Sequence, residues 1–202
     1  MTHEIERTDE NAPTDDNAPT DATAAPEATA AADASDSSSA SPEYRRIVEE
    51  NRRFGAVFDR SALTAAPVRG LAVLTCMDAR IQVEDALGLR AGDAHIIRNA
   101  GGLATGDAIR SLVVSQQLLG TQEILVIAHT QCGLHGVDES DLRQRLAEST
   151  GHATSLSFGA FADLDAMVAE QVRKIREHPA TLDVPVHGLV YEVETGHLRE
   201  VA

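Results

Sequence analysis

Leu71-Ala-Val-Leu-Thr75 is a charge-free run that leads directly into Cys76-Met-Asp78-Ala-Arg80. A short apolar stretch introduced by Gly70 reads as a strand buried on both faces, the kind that parallel sheets contain. Two further runs of the same type follow, Ala94-His-Ile-Ile97 and Glu123-Ile-Leu-Val-Ile-Ala128. Between them, residues 107–119 carry Ala108, Leu112, Val113, Leu118 and Leu119 at spacings that suit a packed helix stopped by Gly120. The result is a βαβ crossover. Residues 138–147 and 160–177 read as further helices, the second ended by Pro179. Residues 186–193 and 197–201 read as a closing hairpin around Thr195-Gly196. The expected class is α/β, with a mostly parallel central sheet flanked by helices and a C-terminal hairpin.

Upstream of this region the sequence changes character. Residues 1–42 are Asp, Glu, Thr, Ala, Ser and Pro with almost no large apolar side chain, so they cannot bury enough surface to offset the entropy of ordering. They are expected to form a disordered acidic tail, leaving residues 43–202 as one catalytic-size domain. Ser41-Pro42-Glu43 has the form of a helix start, and Tyr44, Ile47, Val48, Phe54 and Phe58 supply an apolar face for a helix reaching about residue 59. The tail holds ten acidic residues against Arg7 and so carries −9 of the net charge of −15. A domain with this balance lacks the basic face that phosphate neutralisation needs, which argues against nucleic acid as a partner. No apolar run approaches the ~20 residues of a membrane span. Two cysteines in 202 residues are no disulfide framework, and the N-terminus has no basic start with an apolar stretch; both fit the cytoplasm.

The chemistry is concentrated at strand ends. Cys76 and His129 each follow a predicted strand at its carboxyl end, where open α/β sheets bind ligands. His129-Thr-Gln-Cys132-Gly133 adds a third donor two residues beyond the histidine, with a glycine that lets backbone approach closely. Cys76, His129 and Cys132 together offer two thiolates and one imidazole. Three protein ligands leave the fourth position of a tetrahedral Zn²⁺ for water, the mark of a catalytic rather than a structural zinc site. Asp78 and Arg80 form an acid–base pair beside this set. Arg80 would keep Asp78 ionised and off the metal, while Asp78 would accept a hydrogen bond from the activated water. Two thiolates offset the charge of the ion, so activity is expected to favour alkaline pH. His135 and His152, near and beyond the metal loop, could shuttle protons, but exposed loop histidines are common and both read first as surface residues. Arg98-Asn99-Ala100-Gly101-Gly102 lacks the spacing of a phosphate-binding loop and reads as a tight turn lining the metal cleft. A zinc store or sensor without turnover is the alternative of a different class, although it would leave the Asp78–Arg80 pair without a purpose.

Cys76-x-Asp78-x-Arg80, Arg98-Asn99-Ala100-Gly101 and His129-x-x-Cys132-Gly133, in this order, resemble the motifs of the β-class carbonic anhydrases. The resemblance covers roughly residues 43–202 and is strongest with a compact subgroup carrying Cys-Met-Asp-Ala-Arg. It implies the β-carbonic anhydrase fold and reversible hydration of CO₂ to bicarbonate by attack of zinc-bound hydroxide. Cys76, His129 and Cys132 would be the metal ligands, and Asp78 and Arg80 the catalytic dyad. It also implies a homodimer or dimer of dimers in which an N-terminal helix embraces a second subunit. The sequence departs from the plant-like pattern around Pro67-Val68-Arg69, at Val114 and at His95, where glutamine and aromatic residues line the CO₂ pocket. Carbonyl sulfide or carbon disulfide hydrolases share the fold and ligands, and hydrolysis of such a linear molecule is the alternative reaction.

Overall fold

The computed structural model describes residues 41–59 and 62–202. The predicted acidic tail lies outside these residues except for Ser41 and Pro42, which start the first helix. The chain divides into two units, one ending at Phe58 and the other running from Asp59 to Ala202.

In the first unit, α1 spans Pro42–Ala56. Its start is the one the sequence signals: the Ser41 hydroxyl accepts from the Tyr44 N–H at 3.1 Å, and proline occupies the first turn. Glu43 pairs with Arg46 one turn on, an exposed contact of small energetic weight. None of its residues is buried, and Tyr44, Ile47 and Phe54 are exposed.

The second unit is a five-stranded sheet in the order β2-β1-β3-β4-β5. Strand β1 is Leu71–Cys76, β2 Ala94–Asn99, β3 Glu123–His129, β4 Val186–Tyr191 and β5 Leu198–Glu200. The first four pair in parallel and β5 returns antiparallel on β4, as the hairpin expectation required. Every residue of β1 is buried, which explains why its sequence is uniformly apolar rather than alternating. On one face Ala72, Leu74, Ile124 and Val126 pack with Leu112 of α3 (Gly106–Leu119) and Val172 and Ile175 of α5 (Leu164–Arg176). On the other face Leu71, Val73 and Ile127 meet Ile81, Val83 and Leu89. Val83 and its neighbours form α2, Val83–Leu87, a five-residue helix closed by Gly88 at φ 61° that the sequence pattern does not announce. Among the described residues no helix is long and apolar enough to cross a membrane.

Three expectations are corrected in detail. Leu118 of α3 is 75% exposed, and in the last turns of the helix the buried positions are the polar Ser115 and Gln116. Ser115 is satisfied by Thr121 at 2.6 Å and by His95 at 2.7 Å, and the Gln116 side chain bonds both the N–H and the carbonyl of Leu182. Helix α4 runs Glu139–Thr150, starting one residue later and ending three residues later than expected, because Asp138 serves as its cap and Gly151 at φ 75° closes it. Helix α5 begins at Leu164, not 160. Phe161 pairs with His135 as an isolated parallel bridge, and Asp163 caps the helix by accepting from the Ala166 N–H at 3.0 Å.

The turn after β2, a single 3₁₀ turn over Ala100–Gly102, lies against the end of β1. Gly102 has φ +66°, and a Cβ there would stand 3.0 Å from the backbone nitrogen of Cys76 and the carbonyl carbon of Thr75. Both the positive φ and the backbone contact demand glycine. Gly102→Ala is expected to lower stability by about 1–3 kcal/mol, measured as a shift in the urea midpoint; an unchanged midpoint would contradict this packing.

Candidate metal centre and active site

β1 and β3 are adjacent and parallel, with Thr75 opposite Ile127, so their carboxyl ends put Cys76 and His129 side by side. The Thr75 hydroxyl ties the two strands at that end by donating to the Ile127 carbonyl at 2.8 Å. Beyond β3 the chain turns sharply at Gln131, which has φ 57°, and brings Cys132 back to the same point. The donor atoms of Cys76, His129 and Cys132 all lie within 4.8 Å of one another. All three residues are buried.

Histidine orientation decides what this cluster can hold. The His129 Nδ1–H donates to the Thr130 carbonyl at 2.9 Å, because a carbonyl can only accept. Nε2 therefore presents a lone pair, and it is the only buried side-chain nitrogen or oxygen without a hydrogen-bond partner among the described residues. An orphan of this kind costs free energy unless something occupies it. Two sulfurs within reach of the same atom make a soft, three-donor set that fits a metal with borderline preferences such as Zn²⁺.

The thiols are poised differently. Burial alone would push Cys76 up, but the protonated form of His129 and the N–H groups of Asp78 and Gly101 favour its thiolate and bring it down to about 7. Burial holds Cys132 above the ordinary thiol range, reinforced by the charge of Cys76. His129 is raised in spite of its burial by the neighbouring Cys76 sulfur.

Asp78 sits where the sequence places it, beside the cluster and in the fork of Arg80. The Arg80 Nε donates to Oδ1 at 3.0 Å, Nη2 to Oδ2 at 2.8 Å, and the Arg80 main-chain N–H to Oδ1 at 2.9 Å. These contacts hold the Asp78 carboxyl well below the usual carboxylate range. Its Oδ2 is 3.7 Å from His129 Nε2, close enough to face the same space without bonding.

Arg98 holds the Cys76 loop from beneath, a role the sequence reading assigned to no side chain. Its guanidinium donates to the carbonyls of Cys76, Asp78 and Ile81 at 3.0, 2.7 and 3.2 Å. The signal available was an arginine directly after the short apolar run Ala94-His-Ile-Ile97. Asn99 pins the following turn by exchanging two 2.7 Å bonds with the backbone of Leu103. That turn delivers the Gly101 N–H to the Cys76 sulfur, in line with the cleft-lining turn expected there. His135 does not fit a free proton shuttle: its ring stacks on Phe161 and its Nε2–H donates to the Ala162 carbonyl at 3.0 Å. His152 is exposed on the segment after α4. His95 bridges the Ala65 carbonyl and the Ser115 hydroxyl, away from the metal cluster.

The sequence profile of the carbonic anhydrase family matches residues 71–198. This chain is a β-class carbonic anhydrase family member. It is 38% identical over 143 residues to the β-carbonic anhydrase 1 of Mycobacterium tuberculosis, covering 70% of this chain and 88% of that protein. A carbon disulfide hydrolase of Acidithiobacillus thiooxidans is 40% identical over 152 residues, covering 65% of this chain and 76% of that one. Among solved structures, the carbonic anhydrase of Streptococcus mutans superposes with a TM-score of 0.77 at 36% identity, covering 81% of this chain and 99% of that one. The β-carbonic anhydrase family thus includes relatives of both activities at similar distance from this sequence.

Metal uptake by the cluster requires thiolates, so each thiol still protonated must release its proton on binding. Below pH 7 that applies to both cysteines, and between 7 and the raised value of Cys132 to one. Zinc affinity is therefore expected to climb with pH, by about tenfold per unit for each protonated thiol and for His129 while its ring is protonated, and more steeply below pH 7. Competition against a chromophoric chelator from pH 6 to 9 measures this; a flat affinity would exclude thiolate ligation.

Proposed function

We propose that this chain catalyses the reversible, zinc-dependent hydration of CO₂ to bicarbonate and a proton. The observation that carries the reading is the pairing of an unpartnered, buried His129 Nε2 and two thiols with an ionised carboxylate that is locked beside them and faces the same space. Cys76, His129 and Cys132 would hold Zn²⁺. When bound, the ion would supply Lewis acidity that acidifies a water and makes it a nucleophile, less strongly than with neutral ligands because two thiolates offset its charge.

The remaining work falls to the chain. Asp78 is ionised and can only accept, so it would take the hydrogen bond of the attacking water and turn the oxygen lone pair toward the carbon of CO₂. Arg80 keeps that carboxylate charged and aimed. Arg98 and the Gly102 contact fix the segment that carries Cys76 and Asp78, so the donor and the acceptor keep one spacing. Water and CO₂ combine to bicarbonate with one proton released, and no oxidant or reductant is involved. The exposed apolar residues of α1, Tyr44, Ile47 and Phe54, support assembly as a homodimer or dimer of dimers.

Hydrolysis of carbon disulfide or carbonyl sulfide is the second reading, favoured by carbon disulfide hydrolases that are 36–40% identical to this chain. Those linear molecules also offer a central electrophilic carbon to the same nucleophile. Stopped-flow assays of the zinc-loaded protein with each gas separate the two, and turnover of none would leave a zinc-holding protein without this chemistry. Asp78→Ala is expected to retain stoichiometric zinc and to lose about 10- to 100-fold in kcat. Cys132→Ser is expected to lose zinc. Zinc loss in the Asp78 variant would instead make the carboxylate a ligand and overturn its assigned role.

A further inference from the structure

Arg80 is 47% exposed on its side chain, so its fork on Asp78 competes with water unless something else fixes the guanidinium. Two groups do so, and both belong to Gln131. Nη1 donates to the Gln131 side-chain oxygen and Nη2 to its main-chain carbonyl, each at 3.1 Å. The Gln131 amide nitrogen in turn donates to Glu194 at 2.7 Å. Glu194 lies in the turn between β4 and β5, which is itself fastened to the metal loop. The Thr130 N–H donates to the Tyr191 carbonyl at 3.0 Å and the Val193 N–H to the Thr130 hydroxyl at 3.1 Å.

Polarity makes this arrangement specific. A guanidinium only donates and a carboxylate only accepts, so the group between Arg80 and Glu194 must accept on one side and donate on the other. An amide does both, and here it can point only one way, oxygen toward Arg80 and nitrogen toward Glu194. Gln131 is also the one non-glycine residue with positive φ among the described residues, at 57°. Backbone in that region is unfavourable for a side chain, and its persistence calls for a compensating role. The turn it makes is the one that aims both its carbonyl and its amide at Arg80.

We infer that Gln131 and Glu194 are positioning residues: through Arg80 they hold the Asp78 carboxylate beside the Cys76, His129 and Cys132 group and keep it from turning in as a further ligand. The inference rests on the reading of Asp78 as the acceptor at that group. Freed from this brace, Arg80 would sample other rotamers and release Asp78, whose Oδ2 already stands 3.7 Å from His129 Nε2.

The test uses the zinc-loaded full chain with two measurements, steady-state hydration kinetics and NMR of the Arg80 guanidinium, its Nε–H signal identified by loss in Arg80→Lys. Gln131→Gly removes the amide while suiting the φ of +57°, so a fault in folding does not confound it. Glu194→Ala removes the far anchor. Both are expected to speed guanidinium rotation and to lower kcat about tenfold, with KM and zinc content unchanged. Gln131→Glu alone sets two carboxylates against each other and should behave likewise. Combined with Glu194→Gln it restores an acceptor for Arg80 and a donor for that acceptor at the same net charge, and it should recover most of kcat and slow the rotation again. Wild-type rotation in the single variants, or a combined variant no better than Gln131→Glu alone, overturns the inference. If the wild type turns over none of the gases, the hydration reading fails by itself, and the rotation measurements on the same samples still decide whether Gln131 and Glu194 brace Arg80.

Discussion

The parallel pairing of β1 with β3 is the constraint from which the site follows. Cys76 and His129 are 53 residues apart in sequence, and only the register that sets Thr75 against Ile127 brings them to one place. That register is fixed twice over. Leu71 to Cys76 are buried on both faces, so a slip by one residue would exchange the side chains fitted to the two packed faces, and the buried Thr75 hydroxyl bonds the facing carbonyl at the end that matters. A parallel pair also needs a crossover, and the helix that supplies it, α3, packs Leu112 under the same strands. Stability and site geometry therefore share their residues here.

Much of this was legible in the sequence because buried parallel strands leave an unambiguous trace. Three short apolar runs located β1, β2 and β3, and the ligand-type residues at the carboxyl ends of β1 and β3 located the site. The brace around it was not legible. Arg98 lies in a strand, Gln131 in a three-residue gap between His129 and Gly133, and Glu194 in a turn more than 60 residues farther on, and none has a local pattern that separates it from an ordinary polar residue. Their roles come from carbonyls and amides brought together by the fold. The exposed Leu118 shows the complementary limit, since helical spacing alone ranked it with Leu112 while Ser115 and Gln116 took the buried positions. Polar residues can be buried there because Thr121, His95 and Leu182 satisfy them, a fact of tertiary structure and not of periodicity.

The charge balance of the site explains why so much of the chain is committed to holding a few side chains still. Two thiols, an imidazole and a carboxylate converge at one end of the sheet, and two of the nearby groups that can offset negative charge, Arg80 and Arg98, are both fully engaged. Arg80 is engaged with Asp78 and Gln131, and Arg98 with three carbonyls of the Cys76 loop. Neither is free to pair directly with a thiolate. The thiolate of Cys76 is favoured instead by His129 and by backbone N–H groups, including the one delivered by the turn that Gly102 makes possible. A cation bound among these sulfurs would therefore meet little competition from the protein's own positive charges. The selectivity between CO₂ and its sulfur analogues cannot arise from this charge arrangement, because each is a neutral linear molecule attacked at carbon. It has to arise from the walls that admit the substrate. His95, one of the departures from the plant-like pattern, lies away from the metal cluster and is committed to Ala65 and Ser115. A ring held at both nitrogens is not free to take part in proton transfer.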